Sequence, residues 1–406
     1  MSLRRQLLLS FGLQGAGAAS VLLATLALGA SVGPELQGAF SRTKSEIEFV
    51  AAFAMFGLPQ ALFFHVKSGA LSGRAALRWA LCSALLALPI GARYTLAQHG
   101  TVGALPLLLG AAVAACVAHG QMRALLLVRE PGGWFNVLTA LPQVLVLAGV
   151  LALIAWGSSG GRDSAAASFT SQYLLLFGAA YAAAALLAWR RLLNTDAAQQ
   201  RSTAGWRELG HYALAAWLTA ALSTAAILAV QRRVETGVGS AALGQFTLAM
   251  TLGQVPLTPI SYAAPLLFRR WMERPGARAS QRWAAGLFTL LIGLAALVWG
   301  LAPQWPELGL GPAYAGATRA LALLMAGGAA EAASRVMTVQ ASATGLPWVA
   351  VRAEAVRWGV LLLGWASPLP PGLLPLCALW AAAAGAAAAV FAWQGRAASA
   401  AAEAAR

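Results

Sequence analysis

Charge is scarce in this chain. Only 10% of its 406 residues are Asp, Glu, Lys or Arg, where a soluble domain carries about a quarter. Aspartate occurs only at Asp163 and Asp196, and lysine only at Lys44 and Lys67. With 59% hydrophobic residues and a mean hydropathy of +0.69, so few charges cannot cover the apolar material in water. A soluble globule is excluded, and so is disorder, because disordered chains are poor in apolar residues. Cysteine chemistry is thin as well. Cys82, Cys116 and Cys377 lie within apolar runs and form no C-x-x-C pair, which argues against a disulfide framework or a thiolate metal site. His65, His99, His119 and His211 are scattered, with no H-E-x-x-H. There is no Walker A loop and no G-x-G-x-x-G after a strand pattern. The sequence calls for no catalytic residue, no nucleotide, no metal and no cofactor.

What the chain does have is long apolar runs. A bilayer core needs about 20 apolar residues per helix. Runs of that kind predict spans near 6–31, 38–66, 75–95, 103–122, 134–156, 168–189, 212–234, 241–268, 282–301, 313–338, 347–366 and 372–394. A polar stretch, Arg190–His211, separates the sixth from the seventh. Arg4 and Arg5 before the first run imitate a signal peptide. The run is too long for one and is interrupted by Gln14 and Gly15, so an uncleaved first helix is expected.

The net charge of +15 would point to nucleic acid in a soluble protein. Here the cations sit between apolar runs, as the positive-inside rule requires, and no nucleic-acid partner is expected. With the N-terminus in the cytoplasm, the inner segments hold 20 Lys and Arg residues and the outer segments 7. That bias places both termini in the cytoplasm of a multi-pass protein of the cell inner membrane.

An internal repeat divides the chain. Gly33-Pro-Glu-Leu-Gln-Gly38-Ala-Phe40-Ser41 and Gly239-Ser-Ala-Ala-Leu-Gly244-Gln-Phe246-Thr247 both read G-x-x-x-x-G-x-F-[S/T], 206 residues apart. Pro59 and Pro265 share the displacement. Each half holds an even number of spans, so the repeats run parallel. The expected fold is an all-α integral membrane protein of about twelve transmembrane helices in two parallel-repeat six-helix lobes. The expected divisions are 1–200, 201–394 and a short cytoplasmic tail, 395–406.

These same residues carry a family resemblance. Gly33-Pro-Glu-x-x-Gly-x-Phe-Ser, followed by Phe56-Gly-Leu-Pro-Gln-Ala61, resembles the N-terminal signature of the polysaccharide exporters, the O-antigen and teichoic-acid-type flippases of lipid-linked oligosaccharides. They share a superfamily with lipid II flippases and MATE exporters. Leu243-Gly-Gln-Phe-Thr-Leu-Ala249 with Pro256 and Pro259 looks like the second-half counterpart, and Gly311-Pro-Ala-Tyr-Ala-Gly316 is similar to the family pattern before the tenth helix. The chain departs from that pattern in its trimmed loops and in Arg232-Arg233, where many relatives carry a more mixed polar set. The resemblance implies a V-shaped pair of lobes around a central cavity. It also implies alternating access that carries the head of a lipid-linked glycan across the bilayer.

A polyprenyl pyrophosphate is anionic, and arginine's planar fork binds phosphate oxygens in pairs. Charges inside a bilayer are costly and mark pathways. The candidate substrate-binding cations are therefore Arg42, Lys44, Arg232, Arg233, Arg319 and Arg335, and the candidate ion-coupling acids are Glu46, Glu48 and Glu331. Each has a plainer reading. Arg42/Glu46 and Lys44/Glu48 are i,i+4 pairs that could simply stabilise a helix end in water. Arg232 and Arg233 could snorkel to the interface. Glu331/Arg335 could be a structural pair. Arg352, Glu354 and Arg357 open the next helix and either join the same entrance or form a solvated helix start. Lys67, Arg74, Arg78 and the Arg269–Arg282 cluster read as topology determinants at anionic headgroups. The small-residue faces Gly15–Ser20 and Ala381–Ala389 read as helix contacts, and Trp134, Trp156, Trp271 and Trp348 as interfacial anchors.

The partners that follow are a lipid-linked glycan, membrane lipids, a coupling ion (proton or sodium), and a polysaccharide polymerase or other assembly protein. The nearest alternative is a multidrug or metabolite antiporter of the same fold, which would favour acids over bases in its cavity. The alternatives of another class are a membrane glycosyltransferase, polysaccharide polymerase or ligase, or a non-transporting scaffold. Such enzymes usually need a sizeable outer loop or clustered acids, and neither is present.

Overall fold

A computed structural model describes residues 3–100, 103–129, 133–157, 162–193, 206–273, 277–307, 309–368 and 370–404. Helices dominate, with no strand among the described residues. In lipid only helices and closed barrels satisfy every backbone polar group, and the Ala- and Leu-rich runs have the propensity for helix. In chain order the helices are α1 (Leu3–Ala54), α2 (Leu58–Lys67), α3 (Gly73–His99), α4 (Ala104–Arg129), α5 (Gly133–Gly157), α6 (Arg162–Leu193) and α7 (Trp206–Gly237). They continue as α8 (Ser240–Gln254), α9 (Thr258–Glu273), α10 (Ala277–Leu301), α11 (Ala317–Ala343), α12 (Trp348–Ala366) and α13 (Leu373–Ala404).

Among the described residues nine helices are long and apolar enough to cross a bilayer, and ten if Gly33–Ala54 with Leu58–Lys67, bent by 47°, is one span. Two further crossings bring the number to twelve. The α8 helix has only 15 residues but runs through a 3-10 turn, Val255–Leu257, into α9. The 19-residue α12 carries Arg352, Glu354 and Arg357. The chain is an all-α multi-pass membrane protein. The expected lobe boundary at 200/201, together with Asp196 and Arg201, lies outside the described residues.

The first two expected spans are separate crossings, Ser10–Ser31 and a second that starts at Gly33, where the non-helical backbone (φ 80°, ψ 173°) kinks the run Leu3–Ala54. The expected span 38–66 is broken at Met55–Gly57, where Phe56 (φ 51°) and Gly57 (φ 65°) both take left-handed backbone. Pro59 then opens α2 at its first turn. Gly57 is required twice over: its φ is positive, and a Cβ there would collide with the carbonyl of Ala213 and lie 2.6 Å from Trp217 N.

The chain divides into two compact units. One is Met1–Ser31 with Ala39–Leu228, and the other is Val32–Gly38 with Ala229–Arg406. In the first, α4 packs against α2, α3 and α6; in the second, α11 packs against α8, α9, α10 and α13. These two helices are the fourth spans of their halves. Their apolar windows are 50% and 72% buried, against 39% or less for the other spans. Each unit is thus built around its fourth span. Small residues permit the close approaches. A Cβ on Gly91 of α3 would lie 2.9 Å from the Gly110 Cα of α4, and one on Gly327 of α11 would lie 3.1 Å from the Ala381 Cα of α13, the small-xxx-small logic of membrane helices. Trp271, expected as an interfacial anchor, is buried instead at 7% exposure, in a core with Leu257, Ile260, Ala332 and Val336.

The repeat motifs meet inside the second unit. Gly33 and Gly239 (φ 119°) each turn the chain into a helix with backbone that favours glycine. A Cβ on Gly38 would lie 3.0 Å from Ser240 O and 3.2 Å from Gly244 N, while one on Gly244 would collide with Pro34 O. Pro34 and Ser240 are 206 residues apart, as are Gly38 and Gly244. The contact is therefore reciprocal, as a local two-fold axis between the motif copies would produce. The third motif joins them: Tyr314 Oη donates to Gln37 Oε1 at 2.5 Å, and Gln245 Nε2 donates to Ala313 O at 2.7 Å. The prolines do not keep the symmetry, because Pro59 opens α2 whereas Pro265 lies inside α9.

Candidate functional site

The expected site residues fall into three groups. In the first unit, Arg42, Lys44, Glu46 and Glu48 lie along two turns of α1. Lys44 Nζ is 3.5 Å from Glu48 Oε1, with both side chains substantially exposed. Such an i,i+4 pair contributes only about 0.3–0.5 kcal/mol. Glu46 is different: it is buried at 5% exposure, one turn after the half-buried Arg42.

The second group is a charge network in the second unit. Glu331 of α11 is buried, and its carboxylate lies 3.9 Å from Arg335 and 3.6 Å from Arg357 of α12. Arg357, at 4% exposure, also reaches Glu354 at 3.4 Å through Nε. Its guanidinium lies 5.3 Å from the centroid of the Trp380 ring of α13. Two carboxylates and two guanidinia balance, as burial demands, since an unpaired charge at such a site is expensive. Of the two readings held for the start of α12, the solvated helix start fails for Glu354 and Arg357, which are buried.

The third group lines a pocket of about 360 Å³ formed by Ala229, Arg232, Arg233 and Thr236 of α7 and Trp365 of α12. The four α7 positions follow the i, i+3, i+4, i+7 rule, so they share one helix face. Among the described residues two guanidinia line this pocket. Thr236 and Trp365 were not expected. The stripe 229/232/233/236 was legible, but nothing in the sequence pairs it with residue 365. Arg319, in the first turn of α11, is exposed and joins none of these groups.

No protein-family profile and no curated protein matches the chain. Solved structures do. A MATE in complex with MaL6 superposes with a TM-score of 0.68 at 16% identity, covering 98% of both chains. A multidrug resistance MATE transporter of the MOP superfamily, in an outward-facing conformation, gives 0.67 at 14% identity, covering 97% of this chain and 94% of that one. The fold is that of the MATE transporters. A MOP superfamily transporter from Pyrococcus furiosus, for which reversed binding-pocket polarity suggests a different function, gives 0.68 at 13% identity, covering 96% and 93%. At these identities the MATE likeness is one of architecture, with twelve helices in two lobes.

Proposed function

We propose that this chain is a flippase that moves a polyprenyl-pyrophosphate-linked oligosaccharide, an O-antigen or capsule repeat unit, from the inner to the outer leaflet by alternating access. It acts in the cell inner membrane, without enzymatic chemistry. The observation that carries the reading is the pocket on α7, where Arg232 and Arg233 line the same open volume. A guanidinium pair in that setting suits pyrophosphate oxygens. The buried acids Glu331 and Glu354 are each close to a guanidinium, and neither is among the residues described around this pocket. Arg42, Lys44, Arg319 and Arg335 are the further substrate contacts in this reading. Glu46, Glu48 and Glu331 are the groups that would couple transport to protons or sodium. A polymerase would receive the exported unit.

In a strain that depends on this protein for surface polysaccharide, Arg232→Ala with Arg233→Ala abolishes display without lowering protein abundance. Arg→Lys at the same positions fails too, because an ammonium cannot make the bidentate grip. Normal display from the double alanine variant contradicts the reading. A drug or metabolite antiporter on the same fold is the second reading, and the buried Glu46 is the observation that favours it. Resistance to cationic drugs that Glu46→Gln removes, with polysaccharide intact, would decide for it.

A further inference from the structure

The pocket between the C-terminal ends of α7 and α12 is chemically mixed. One face of α7 brings the guanidinia of Arg232, half-buried, and Arg233, exposed, together with Thr236. The α12 helix brings Trp365. Thr236 Oγ1 donates its proton to Arg232 O at 2.9 Å, so the hydroxyl oxygen is left as an acceptor. It therefore suits a ligand hydroxyl and repels a phosphate oxygen. The indole nitrogen of Trp365 is buried without a hydrogen-bond partner, so what that ring offers the pocket is carbon surface. Trp358 holds it edge-on, with ring centroids 6.1 Å apart at 82°. An aromatic face with its negative quadrupole attracts the polarised C–H groups of a pyranose. The volume, about 360 Å³, is at the small end of small-molecule sites, which run from about 300 to 1,000 Å³.

We propose that this pocket binds a glycosyl phosphate, with Arg232 and Arg233 on the phosphate and Thr236 and Trp365 on the sugar joined to it. The assignment rests on the flippase reading for its biological sense, and it adds that α7 and α12 read the first sugar as well as the charge. The two residue pairs have separable tasks: the arginines set affinity for any phosphate, and Thr236 and Trp365 set the preference for one that carries a sugar.

Calorimetric titration of the full chain in lipid nanodiscs tests this with three probes: inorganic phosphate, glucose 1-phosphate and decyl phosphoglucose. The intact protein binds glucose 1-phosphate about ten-fold more tightly than phosphate, a gap worth one good contact. Arg232→Ala with Arg233→Ala weakens both at least about ten-fold, and the exposed Arg233→Ala alone does so partially should the double variant misfold. Trp365→Ala and Thr236→Val leave phosphate binding in place and erase the preference. Tighter binding of decyl phosphoglucose than of glucose 1-phosphate ties the pocket to a lipid carrier, and equal binding assigns it to free sugar phosphates. Equal affinity of the intact protein for phosphate and glucose 1-phosphate, or a preference that survives Trp365→Ala, overturns the proposal. The two readings fail separately. Loss of polysaccharide export in a deletion strain with no probe bound at this pocket sinks only the pocket. Probe binding with normal export sinks only the flippase reading.

Discussion

Arg357 shows what a single residue must satisfy when it is charged and buried in a membrane protein. Its guanidinium lies within 3.6 Å of Glu331 and 3.4 Å of Glu354 and faces the ring of Trp380. Removing it leaves two carboxylates enclosed beside a single remaining cation, the half-exposed Arg335. Breaking a buried pair from one side costs about 3–5 kcal/mol. Arg357→Met should therefore lower the thermal midpoint of the detergent-solubilised protein sharply. Adding Glu331→Gln and Glu354→Gln should restore most of the loss, because the neutral amides no longer need a counter-charge. If Arg357→Met alone unfolds at the temperature of the unaltered protein, the network is not structural. This part of the site was half-legible in the sequence. The spacing of Glu331 and Arg335 announces an intrahelical pair, but only packing of α12 on α13 turns Arg357 inward, and no periodicity in one helix reveals that.

At the scale of elements, the G-x-x-x-x-G repeat tells more about assembly than about chemistry. Its glycines either take left-handed backbone or allow two helix starts to cross, and Tyr314 and Gln245 fasten the third motif onto the same crossing. The crossing predicts an asymmetry between equivalent positions. Gly244→Ala drives a methyl into the Pro34 carbonyl, whereas Gly38→Ala meets its nearest atom, Ser240 O, at 3.0 Å. Overpacking of this kind costs about 1–3 kcal/mol. Gly244→Ala should fall at the upper end and Gly38→Ala well below it, as thermal unfolding of the two purified variants will show. Equal effects would mean that the crossing relaxes freely. The sequence revealed the repeat because glycine positions survive as letters. It did not reveal the breaks at Met55–Gly57 and Val255–Leu257, since an apolar run reads the same whether the helix through it is straight or bent.

The whole molecule follows from a mismatch between apolar content and charge that only a bilayer resolves. Twelve crossings, each half arranged around its fourth span, were largely readable from run lengths and the 206-residue offset. Orientation rests on the loop bias of 20 cations to 7. A cytoplasmic reporter fused after Arg396 should be active and a periplasmic one silent, and the reverse would overturn the even span count. Cargo is less legible than architecture, because the residues that would choose it come from α7 and α12, 129 to 133 positions apart for Arg232, Arg233 and Thr236 against Trp365. The central claim is that the chain moves a finished lipid-linked glycan and makes or breaks no bond in it. The most direct measurement is the leaflet position of that glycan in a deletion strain, read by mass spectrometry of extracted lipids and by lectin access in intact spheroplasts. The account predicts complete repeat units that accumulate on their polyprenyl carrier in the cytoplasmic leaflet, beyond the lectin's reach, while polymer vanishes from the surface. Repeat units that already stand on the outer leaflet, unpolymerised or unligated, would contradict it and place the protein among the enzymes.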